Sequence, residues 1–162
     1  MSRESIHLLD DFLSNNVVRL ARKYTLHGRL YLEHHSDVSF DDWRLLVRLE
    51  RLIQPSMDEL CHLLDWETDR LTRVSDGLLE RGLVRFVRDT ATERLALTEA
   101  GDGLFETTLT TMQRRQTELL ADVDPDEARL FLEILHRLED GVDASIAELK
   151  VAETSSSAEA TG

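Results

Sequence analysis

The side chains best able to do chemistry in this 162-residue sequence are arginines on two neighbouring segments. Arg70 and Arg73 lie in ETDRLTRVSDGLLER, residues 67–81, among Thr68, Asp69 and Thr72; Arg88 and Arg94 flank the Thr90-Ala91-Thr92 stretch that follows. Only Lys23 and Lys150 are lysines, so nearly every cation is a guanidinium, whose planar fork suits two-point recognition of a phosphate or a base edge. Genome composition gives the same bias. A solvated helix face accounts equally for Arg70, Thr72 and Arg73, and Arg88 and Arg94 can pair with Asp89 and Glu93.

Other reactive groups lead to less. Cys61 has His62 beside it, but adjacent helical residues point about 100° apart, so the step forms no nucleophile and base pair. Glu33-His34-His35-Ser36-Asp37 has the atoms of a metal site, yet His7, His27, His62 and His136 are scattered and no second ligand cluster accompanies it. It reads as a solvated polar helix end, and no metal is expected. A phosphate-cradling glycine loop, a nucleophile elbow and paired catalytic carboxylates are all missing, so neither an enzyme nor a cofactor is expected.

The elements that position these residues follow from periodicity. Residues 6–32 repeat Ile6, Leu9, Phe12, Leu13, Val17, Leu20 and Tyr24 at helical spacing. Ser39-Phe40-Asp41-Asp42 and Ser56-Met57-Asp58-Glu59 each place a capping serine three residues before a carboxylate, so helices start there, the first ending before Pro55. Residues 67–81 bury Leu71, Val74 and Leu78 along one face, with Gly82 at the stop. The period then changes: residues 83–89 and 93–97 predict two short strands joined by a turn. Thr98 caps a helix running to about Asp122, and Asp124-Pro125-Asp126-Glu127 opens another carrying Phe131, Ile134, Leu135, Leu138, Val142, Ile146 and Leu149. Residues 151–162 lack periodicity and predict a disordered tail.

Helix, helix, recognition-type helix and arginine-bearing hairpin is the winged helix-turn-helix order. From Phe40 to Gly101 the chain resembles the MarR family of bacterial transcription regulators, through Phe40-Asp-Asp-Trp-Arg-Leu-Leu, Ser56-Met-Asp-Glu-Leu-Cys, Thr72-Arg73 with Asp76-Gly-Leu-Leu-Glu-Arg-Gly-Leu-Val, and Leu97-Thr-Glu-Ala-Gly101. The resemblance implies a mainly α fold: a winged helix-turn-helix with a short two-stranded wing over residues 39–98, flanked by dimerisation helices over 1–38 and 99–150. It further implies a homodimer on a pseudo-palindromic double-stranded operator. Thr68, Asp69, Arg70, Thr72 and Arg73 would then face the major groove, Ser56 would meet a phosphate, and Arg88 and Arg94 would reach the minor groove or a phosphate. In the wing, Thr92-Glu93-Arg94 stands where the family has an Asp-Arg-Arg run. Cys61 falls at a small core-facing position and reads as packing. Family effectors, often small aromatic acids, bind between the dimerisation helices and the winged module, which makes Tyr31, His35 and Trp43 candidate pocket residues; Trp43 reads equally as core.

The charge fits unevenly. The net charge is −13, and residues 99–162 carry five basic and fifteen acidic side chains, whereas residues 67–98 carry six of each. The candidate reading surface is therefore locally neutral. One cysteine excludes a disulfide framework, no apolar run is long enough for a membrane span, and Asp10 and Asp11 interrupt any export signal, so a cytoplasmic location is expected. Two readings stand: a ligand-releasable repressor of this type, and a dimeric helical interaction module that keeps the fold without binding DNA.

Overall fold

A computed structural model of the chain describes residues 12–89 and 92–159, with the side chains of residues 88, 89, 92 and 153–159 outside the description. The order is α1 (Leu13–His35), α2 (Phe40–Arg51), α3 (Met57–Leu64), α4 (Thr68–Glu80), β1 (Val84–Asp89), β2 (Thr92–Leu97), α5 (Glu99–Leu119) and α6 (Pro125–Glu159). Contacts divide it into two compact units, one ending at Arg115 and the other beginning at Gln116.

Local chemistry sets most boundaries in the first unit. Ser39 Oγ accepts from Asp42 N–H at 3.0 Å while the Asp42 carboxylate accepts from Ser39 N–H, a reciprocal cap that starts α2. Asp65, at φ 53°, closes α3 in the left-handed region that a short polar side chain tolerates. Gly82, at φ 69°, ends α4: Leu83 N–H donates to Leu78 O and Gly82 N–H to Leu79 O, each at 2.9 Å. This paired closure needs the left-handed residue.

α2, α3, α4 and the hairpin enclose one core of Leu45, Leu46, Leu60, Leu64, Leu71, Leu78 and Leu95, with Phe105 of α5 packed in. The strands are antiparallel, in register from Val84 opposite Leu97 to Asp89 opposite Thr92. An isolated bridge between Ser56 and Arg94, with Leu95 N–H donating to Pro55 O at 3.0 Å, ties β2 to the turn before α3. Gly101 is a fitted contact, because a Cβ there would lie 2.0 Å from the Leu83 carbonyl oxygen. That same oxygen accepts from Thr98 N–H, and Thr98 Oγ1 donates to Gly82 O and accepts from Gly101 N–H.

In the second unit α6 departs from expectation. α6 runs from Pro125 to Glu159, past Val151, where the sequence loses its periodicity. No proline or glycine lies between Gly141 and Gly162, so nothing local interrupts a helix already nucleated. The first turn expected for the N-terminal helix lies outside the described residues. No helix among the described residues is long and apolar enough to cross a membrane.

Candidate nucleic-acid interface

α4 buries Leu71, Ser75 and Leu78 and turns Thr68, Asp69, Thr72, Arg73, Asp76 and Glu80 outward. Asp69, Thr72, Arg73, Asp76, Gly77 and Glu80 line a shallow, open hollow on that face. Arg73 has no carboxylate within ion-pair distance among the described residues. A fork on one face of a 13-residue helix, beside a threonine hydroxyl and methyl, is able to address a base pair in a major groove.

Arg70, Ser56 and Arg94 each have a partner within the chain. Arg70 turns towards the start of α2, donating from Nη2 to Asp41 Oδ1 at 2.7 Å and from Nε to Asp41 Oδ2 at 3.1 Å, with its guanidinium 4.6 Å from the Trp66 ring centroid. Arg81, just past α4, pairs with Asp42 at 3.0 Å. Ser56 is buried, and both its donors go to one acceptor: its N–H and its hydroxyl each donate to Glu59 Oε2, at 2.7 and 3.0 Å. A phosphate would have to displace Glu59. Those two hydrogen bonds, backbone first, and then the nearby Arg94 charge hold the Glu59 carboxyl below its ordinary value.

Arg94 is half-buried and donates to Gln54 O at 2.8 Å, fastening β2 to the α2–α3 turn. The Arg88 side chain lies outside the described residues.

The expected pocket residues separate into two places. Tyr31 and His35 stack, with centroids 4.2 Å apart, while Trp43 stacks on Phe105 at 5.5 Å in the core. Around Tyr31 gather residues that the sequence reading missed. Arg114 Nε donates to Tyr31 Oη at 3.1 Å, and Arg115 donates from Nε to His27 Nδ1 at 2.9 Å and from Nη2 to Tyr24 O at 2.8 Å. The Arg115 guanidinium lies 4.4 Å from the Tyr24 ring centroid. Arg115 is only 4% exposed and has no carboxylate partner among the described residues, an arrangement that favours an added anion. Because His27 Nδ1 accepts this bond, that nitrogen carries no proton. The signal available was Tyr24, His27, Tyr31 and His35 along one face of α1, opposite the isolated Arg114-Arg115 pair. No three metal-ligating side chains converge among the described residues.

No family model and no curated protein matches the sequence. Solved structures do match. A MarR/EmrR family transcriptional regulator from Acinetobacter sp. ADP1 is 21% identical, covers 83% of this chain and 97% of its own, and superposes with a TM-score of 0.72. A MarR family transcriptional regulator from Silicibacter pomeroyi is 22% identical over 82% of this chain and 90% of its own, with a TM-score of 0.71. Staphylococcus aureus MarR, solved with salicylate and kanamycin, is 18% identical over 84% and 93%, with a TM-score of 0.69. The chain thus has the winged-helix fold of MarR-family regulators.

Proposed function

We propose that this chain is a homodimeric, sequence-specific regulator of transcription that binds a pseudo-palindromic double-stranded DNA operator, acts as a cytoplasmic repressor and is released by a small ligand. The observation that carries the reading is the outward face of α4, where Thr68, Thr72 and Arg73, which has no ion-pair partner among the described residues, ride on a helix-turn-helix with a wing beside it. Arg73 reads a guanine and Thr72 a thymine methyl or base edge. Dimerisation is supported by apolar side chains left in solvent: Phe12, Leu13, Val17 and Leu20 at the start of α1, and Phe131, Ile134, Leu138, Val142 and Ile146 along α6. Two-fold symmetry would then present two α4 helices to successive grooves.

The ligand site in this reading centres on Tyr31 and His35 with Arg114 and Arg115, and Trp43 serves the core. Stacked rings beside two guanidinium groups suit an aromatic carboxylate, a class that includes the salicylate bound by the S. aureus protein. Binding there biases the separation of the two winged modules and weakens the fit to the operator.

Selection of bound duplexes from a random library, at two salt concentrations and with Arg73→Ala alongside, tests the reading. A pseudo-palindrome with half-sites about one helical turn apart, bound less tightly as salt rises and lost in the variant, is the expected result. A folded dimer that enriches nothing would instead favour the interaction module, which draws its support from Asp69, Asp76 and Glu80 sharing the face with Arg73.

A further inference from the structure

The arginine at the head of α4 is occupied by a carboxylate from another helix. Asp41 fills the Nε and Nη2 edge of Arg70 with both its oxygens, the geometry in which a guanidinium also holds a phosphate. A second cation stands alongside: Arg44, on the same helix as Asp41, donates to Leu64 O at 2.8 Å and lies 5.2 Å from the centroid of the Trp66 ring that Arg70 also covers. Burial first, then the like charge of Arg70, lowers the Arg44 pKa, while Asp41 opposes the shift. One carboxylate therefore neutralises part of a two-guanidinium cluster beside the reading face. The pair is accessible to solvent, with side chains 39% and 31% exposed, and exposed ion pairs of this kind exchange partners at little net cost.

We propose that Asp41 is an intramolecular stand-in for a DNA backbone phosphate: it occupies the Arg70 fork beside Arg44 in the free protein and gives way to a phosphate when α4 enters the groove. The inference rests on the DNA-binding reading and adds a function to a residue which that reading leaves idle. Asp41 holds back the charge that every duplex attracts, so contact with any sequence must first break an ion pair. The acid thereby lowers affinity for all DNA, and the Arg73 base contacts decide where the protein stays.

Anisotropy titrations of the full chain with its selected operator and a scrambled duplex, over a range of salt, test this with Asp41→Asn, Arg70→Met, their combination and Arg73→Ala. Methionine keeps an apolar stem over Trp66, and thermal melts report folding. Asp41→Asn should tighten binding to both duplexes about fivefold across two subunits, and the gain should vanish when Arg70→Met is added. Arg70→Met alone should flatten the log affinity against log salt slope by about 0.9 per subunit. An unchanged slope in Arg70→Met, or weaker binding by a folded Asp41→Asn protein, overturns the proposal while Arg73-dependent operator binding still stands. If wild type and Asp41→Asn bind neither duplex, the DNA-binding reading falls and this inference with it.

Discussion

Arg73 has Asp69 four residues before it and Asp76 three residues after it, so its charge is set against two carboxylates on the same helix face. Binding through such a face depends on directed contacts more than on bulk attraction. Arg73→Ala should therefore weaken operator binding by about tenfold to a hundredfold per half-site, the worth of one bidentate base contact, and relax the preference at one position of each half-site in a repeated selection. At Ser56 and Glu59 the prediction concerns pH. A carboxyl lowered on folding adds stability above its unfolded value, here 4.5, and loses it as pH falls through the folded value. The melting-temperature gap between wild type and Glu59→Gln should be present at pH 7 and close as the pH drops below that range; a gap independent of pH would show that charge plays no part in the cap. The serine caps were legible in the sequence because donor and acceptor are three residues apart. The Arg70 partner was not, since Asp41 is 29 residues away and nothing local distinguishes it from its neighbour Asp42. Arg115 and His27 are separated by 88 residues and were equally invisible.

Among the elements, α2 to α4 and the hairpin follow from spacing because each buries a regular stripe: Leu71 and Leu78 from one face of α4, Val84 and Leu95 from the strands. The bridge between Ser56 and Arg94 escaped the sequence reading, since one residue pair beside a proline has no period to detect. The junction of α4, β1 and α5 is tighter than its sequence reveals. Gly101→Ala would drive a methyl into a backbone oxygen that cannot rotate away, so α5 or the Gly82–Leu83 turn must shift. The substitution should destabilise the chain by about 1–3 kcal/mol, read as a lowered midpoint in urea. Gly103→Ala, with nothing within 4 Å of its would-be Cβ, should not destabilise it.

For the whole molecule, the apolar stripes on α1 and α6 were legible as periodic patterns, but a pattern does not say what covers it. The homodimer reading predicts sedimentation at twice the 18.6 kDa of one chain. Leu138→Asp, on the exposed stripe of α6, should shift that species towards monomer and weaken operator binding with it, because both half-sites must be held at once. A monomeric wild type at micromolar concentration would contradict this. The Leu83 carbonyl has a mechanical meaning: it receives Thr98 and abuts Gly101, so the end of α4, the root of the wing and the first turn of α5 are clasped at one point. From Gly101 to Arg115, α5 is a rod about 21 Å long. Over that length a tilt of about 5° about the clasp corresponds to roughly 2 Å at the far end. In the ligand-releasable reading, a displacement at Arg115 would be passed to α4 and the wing through this one joint.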